Sequence, residues 1–201
     1  MWKSYLRVIF FPFVLLTLIT NLNYCSTGVE SSPEPGVLRI TLQSDPEDTS
    51  IIIVTDTFTV ADGDSFGVNF FQSKVYHNNY YAQLYRTTSS YSVETIVINI
   101  LKRINGEYQK YTLYESYVPP EEYNRVQFGI NAEQMRISRL DIPVLLPPDS
   151  SLLVDFYQDF KVEENKITEI IFQISPFKSV ERFKDVYYFM RKIKIVDVKY
   201  H

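Results

Sequence analysis

Few side chains in this chain are equipped for chemistry. Histidine occurs twice, as His77 and as the last residue, His201, and cysteine once, as Cys25. A zinc site assembled from several His and Cys ligands is therefore excluded by composition. A Ser-His-Asp arrangement would have to use His77, and no Gly-x-Ser-x-Gly elbow accompanies it. Beside Asn78 and Asn79, His77 reads as an exposed loop residue. The carboxylates pair only as neighbours, in Glu47-Asp48, Glu121-Glu122 and Glu163-Glu164. A glycosidase sets two acids on opposite sides of a substrate, whereas adjacent acids in turn-like segments are ordinarily solvated charge. Asp62-Gly63-Asp64 has the alternate oxygens of a calcium loop, but Phe66 takes the third ligand position and no Glu closes the loop. A tight turn explains the same residues. The expectation is a protein without catalytic residues, metal or cofactor.

Tyrosine is the richer signal, with 16 copies, of which Tyr76, Tyr80, Tyr81, Tyr85 and Tyr91 lie close together. A flat apolar ring with a polar tip suits stacking on a sugar face or a partner surface at small entropic cost. Tyr80, Tyr81, Tyr85 and Tyr91 are the candidate ligand-binding residues. The competing reading makes them strand residues in cross-strand pairs, with Tyr81 and Tyr85, of one parity, turned inward.

The N-terminus addresses the chain. Lys3 and Arg7 precede an apolar run over residues 8–19, the charged and hydrophobic regions of an export signal. The run falls short of the roughly 20 apolar residues of a spanning helix and contains Pro12. Cys25 ends Leu22-Asn23-Tyr24-Cys25, which resembles a bacterial lipobox and makes Cys25 the candidate lipid-attachment residue. The alternative is ordinary cleavage after Gly28. Residues 1–25 are thus assigned to the signal, 26–35, rich in Ser and Pro, to a tether, and 36–201 to one domain. The expected location is the outer membrane or cell surface through an N-terminal lipid, with a soluble periplasmic or secreted form as the alternative. Loss of Lys3 and Arg7 lowers the basic count from 20 to 18 against 24 acids, moving the net charge from −4 to −6. Nucleic acid is not an expected partner.

These residues need elements to position them, and the dominant period is two. Leu152, Val154, Phe156, Phe160 and Val162 fall on one face, with Asp155, Tyr157, Asp159 and Lys161 on the other. Thr168, Ile170, Phe172 and Ile174 repeat the pattern after a polar stretch, 163–166, that suits a hairpin connection. The apolar runs 51–54 and 96–101 read as central strands buried on both faces. Asn105-Gly106 supplies the positive φ angles of a type I′ hairpin turn. Breaks at 62–64, 77–79, 119–120 and 147–149 divide the chain into about nine or ten strands, the pattern of an antiparallel sandwich or barrel. Arg191, Lys192, Lys194 and Lys199 alternate with apolar residues as the solvated side of a strand. Short helical turns are expected after Ser175-Pro176, with Phe177, Val180 and Phe183 facing inward, and over 133–135.

The order of segments is itself informative. Gly36-Val37-Leu38-Arg39-Ile40-Thr41-Leu42, then Asp45-Pro46, then Tyr117-Val118-Pro119 and Glu122-Tyr123-Asn124-Arg125-Val126-Gln127-Phe128, with a closing hairpin and Lys178-Ser179-Val180, resembles a family of bacterial surface lipoproteins built on a domain of unknown function. The resemblance spans most of residues 36–198. It implies an immunoglobulin-like or transthyretin-like β-sandwich on the cell surface and brings no catalytic residues. Two functional classes follow: a non-catalytic binding or adhesion module for a glycan or envelope protein, or a structural component of an envelope assembly. A polysaccharide-acting enzyme is a third, weaker alternative.

Overall fold

The computed structural model describes residues 32–201 apart from Glu94, so the expected signal, Cys25 and most of the expected tether lie outside the described residues. Pro33–His201 forms one compact unit. It is all β, a sandwich of sixteen strands, with no helix among the described residues.

One sheet has four strands: β1 (Gly36–Ser44), β9 (Tyr111–Val118), β13 (Ile167–Ile174) and β16 (Ile193–Tyr200), in the order β16-β13-β1-β9. The other has eight and is built on two long strands, β4 (Ser65–His77) and β10 (Glu122–Ile137), paired antiparallel. The outer side of β4 is shared by β5 (Tyr80–Gln83) and β6 (Ile96–Asn99), and the far side of β10 by β12 (Leu153–Lys161) and β11 (Leu140–Leu145). Beyond β11 lie β15 (Val186–Phe189) and β14 (Val180–Phe183). Two small hairpins, β2 (Ser50–Ile53) with β3 (Asp56–Thr59) and β7 (Arg103–Ile104) with β8 (Glu107–Tyr108), stand apart. The pairing is antiparallel except at β1 with β13 and β11 with β15, which run parallel.

The sheets meet through phenylalanine. Thr168, Ile170, Phe172 and Ile174 are all buried, as their alternation requires. The Phe172 ring stands edge-on to Phe128 (5.2 Å between centres) and Phe156 (4.9 Å), joining β13 to β10 and β12. Truncating Phe172 to Ala would cost about 3–5 kcal/mol by opening a void at this junction.

Several expectations are corrected. The strands number sixteen rather than nine or ten because five two-residue hairpins divide the chain finely, with turns at 54–55, 78–79, 105–106, 138–139 and 184–185. Each opens on a residue at positive φ: Val54 at 60°, Asn78 at 52°, Asn105 at 53°, Ser138 at 45° and Lys184 at 56°. Only Asn105-Gly106 carries both signature residues. The runs 51–54 and 96–101 are not central strands. Ile52 and Val97 are exposed, so β2 and β6 alternate, one in an isolated hairpin and the other along one side of β4, while Ile100 and Leu101, both buried, lie beyond β6. The 163–166 connection is no hairpin either, since it carries the chain from β12 in one sheet to β13 in the other. Glu133–Met135 lies within strand β10, and Phe183 is exposed although Phe177 is buried.

Remote turns are fastened by one acid. The Asp48 carboxylate, buried, accepts the backbone N–H groups of Phe177 (2.8 Å) and Lys178 (3.0 Å), tying the 45–48 turn to the one that starts at Ser175-Pro176. The Tyr108 hydroxyl donates to the Asp48 carbonyl at 2.9 Å, and burial, followed by the Asp48 charge, pushes its pKa up to about 12.

Candidate binding surface

Two local irregularities decide which side chains reach the solvent face of the large sheet. In β4 the inward residues are Phe66, Val68 and Phe70, at even positions, and then Ser73 and Val75, at odd ones. The switch is made by Gln72, a bulged residue at φ 50°, where the pairing with β10 shifts register. Lys74 and Tyr76 are thereby turned outward. In β10 the inward positions change between Tyr123 and Val126, at a register shift against β12, which sends Arg125 and Gln127 to the same outer face.

The result is a strip running across four strands. Tyr81 on β5 is opposite Tyr76 on β4, Tyr76 is opposite Arg125 on β10, and Arg125 is opposite Tyr157 on β12. The Tyr76 and Tyr81 rings are 5.7 Å apart between centres. The Arg125 guanidinium sits 3.8 Å from the Tyr76 centre and 5.9 Å from that of Tyr157, and Lys74 Nζ lies 4.3 Å from that of Tyr81. Cations over ring faces are attracted by the aromatic quadrupole, which holds the rings in place. A second row supports the first. Gln127 accepts from the Tyr76 hydroxyl at 3.1 Å and donates to Asp155 at 2.8 Å, while Asp155 also meets Arg125 at 3.5 Å. The ends of the strip remain open to solvent, Tyr81 at 57% and Tyr157 at 76% exposure.

The four tyrosines singled out by sequence do not form one site. Tyr81 belongs to the strip. Tyr80, next to it in the strand, has the opposite parity, and the two tyrosines meet at the rim of a cleft of about 420 Å³ that Pro119, Glu121 and Tyr123 also line. Tyr85 and Tyr91 pack edge-on to each other, 5.6 Å apart, at a third place. There the Tyr85 backbone bonds to Ser116 and Glu115 and covers the edge of β9. Tyr81 thus forms the cross-strand pair of the competing reading, with Tyr76, but is turned outward rather than inward. Arg125 and Tyr157 were not candidates, although alternation had already set Tyr157 on the polar face of its strand.

Several of the residues equipped for chemistry make structural contacts. His77 ends β4 rather than lying in a loop, its Nδ1 is 2.5 Å from the Glu122 carbonyl and 3.8 Å from the Glu121 carboxylate. It lines an open cleft of about 560 Å³ together with Glu122, Asp159, Lys161 and Tyr200. Asp64 is buried and accepts the N–H groups of Ala61 (2.8 Å) and Ser138 (2.9 Å), which makes 62–64 a tight turn. Glu163 is paired with Lys166 and Lys161, and the lysine hydrogen bond holds its carboxyl below the usual range. Among the described residues no three His, Cys, Asp or Glu side chains converge as a metal site would require. No family model, curated protein or solved structure matches the chain.

Proposed function

We propose that this protein is an exported, surface-anchored binding module that holds a saccharide chain across the strip Tyr81, Tyr76, Arg125 and Tyr157. The observation that carries the reading is the strip itself: two exposed tyrosines bracket a tyrosine and an arginine that are fixed by cation–π contacts and by the Gln127-Asp155 row. Strand spacings of about 4.8 Å put the outer rings roughly 14 Å apart, a span that suits an extended chain of sugars lying across the strands. Tyrosine rings offer flat apolar faces for sugar C–H groups, and their hydroxyls reach the sugar's own.

Glycan-array binding by the purified full-length chain tests this. Tyr81→Ala and Tyr157→Ala should each weaken binding, whereas Tyr91→Ala, away from the strip, should leave it unchanged. Equal binding by wild type and a folded Tyr81→Ala/Tyr157→Ala double variant would remove the strip from the function.

Attachment through Cys25 completes the reading. Support comes from the charged and apolar N-terminal regions, the Leu-Asn-Tyr-Cys sequence and the Ser/Pro-rich 26–35 segment. Two or more acyl chains at about 0.8 kcal/mol per buried CH₂ would make such anchoring stable. The resemblance to surface lipoproteins agrees with it. Mass spectrometry of the mature N-terminus is the test: a lipid-modified Cys25 is expected, and an unmodified Val29 would overturn the lipid assignment.

A further inference from the structure

The polar groups of the strip are nearly all engaged with one another. Arg125 meets Asp155, and Asp155 and the Tyr76 hydroxyl are both bonded to Gln127. Gln83, opposite Lys74 in the register, spends its amide N–H groups on the carbonyls of Ser73 and Leu84. Lys74 differs. Its ammonium lies over the Tyr81 ring, and among the described residues no carboxylate comes within ion-pair distance of it. Lys74 is half-buried and stands opposite Gln127 in the register, so the strip carries one cation without an acid partner.

Three N–H donors and a full positive charge beside a stacking ring form a recognition unit for a sugar that carries an anion. An ammonium with no acid partner gains from a ligand carboxylate without first breaking an ion pair in the free protein, whereas Arg125 would have to give up Asp155. We infer that the strip selects an acidic glycan, a uronic-acid-bearing chain whose sugar packs on the exposed part of Tyr81, clear of the ammonium, while its carboxylate accepts from Lys74. This inference rests on the reading of the strip as a saccharide site and names the ligand class for it.

The two can fail separately. Binding of oligomannuronate and of the matching oligomannose to the full-length chain is measured by calorimetry at low and moderate salt, for the wild type, Lys74→Gln and Lys74→Arg. The expected result is a preference of about tenfold for the acidic chain, the worth of one charge-assisted hydrogen bond, that weakens with salt. Lys74→Gln should abolish the preference, bringing the acidic and neutral chains to equal affinity, and Lys74→Arg should keep it. Equal binding of both chains by the wild type, or a preference that survives Lys74→Gln, overturns the acidic assignment and leaves the saccharide reading standing. Binding of neither chain, here or on the array, overturns both.

Discussion

The Arg125 guanidinium lies 3.8 Å from the centre of the Tyr76 ring, and the two residues are direct cross-strand partners on the outer face of the large sheet. Arg125 is only about a quarter exposed, so this contact is better sheltered than a surface ion pair. A double-mutant cycle with Arg125→Ala and Tyr76→Ala, followed by urea unfolding, should return a coupling of about 0.5–1 kcal/mol. Strict additivity of the two losses would mean that the stack does not hold the strip together.

Asp48 should matter far more to stability than the solvated acids around it. Asp48→Ala leaves the N–H groups of Phe177 and Lys178 without their acceptor in a buried site and should cost about 2–3 kcal/mol. Asp48→Asn keeps an acceptor oxygen and should recover a large part of the loss. Urea midpoints at constant m-value measure both, and an Asp48→Ala protein as stable as wild type would refute the fastening role.

Val54 holds φ at 60°, a left-handed conformation that a β-branched residue adopts at a cost, and it is 62% exposed. Val54→Asn removes that cost and gives up little burial. The expected gain is about 0.5–1 kcal/mol, read as a rise in the thermal midpoint. A lower midpoint would show that the Val54 side chain contributes packing that outweighs the strain.

Acid should weaken the four-stranded sheet through Glu169. The Thr41 hydroxyl donates to its carboxylate at 2.6 Å, and this bond, aided by His201 and Arg39, holds the folded-state pKa below the ordinary 4.5. A depressed folded-state value means the unfolded chain binds the proton more readily. The stabilisation is therefore fully present above about pH 5 and is lost as pH falls through the folded value. The stability difference between wild type and Thr41→Val should be largest near neutrality and shrink on acidification. A difference that stays constant from pH 7 to pH 3 would exclude this linkage.

Alternation in the sequence was sufficient to identify the class of fold, because burial on one face of a strand imposes period two regardless of partner. It located β13 and the inward side of β12, and Asn105-Gly106 located a turn whose backbone demands those residues. Turns at Val54 and Ser138-Arg139 left no such mark, since their positive φ angles are imposed by pairing rather than favoured by the residues. Runs 51–54 and 96–101 look alike whether buried on both faces or one, and only their place in the sheets separated the two cases. The same limit applied to the site. Tyr76 and Tyr81 could be seen as aromatic residues near one another in sequence, but joining them to Arg125 and Tyr157 required strand pairing over many residues. It also required a bulge at Gln72 that reverses the parity of β4. A one-residue bulge costs the sequence almost nothing in pattern and exchanges the faces of every residue after it, which is why the strip belongs to the tertiary structure alone.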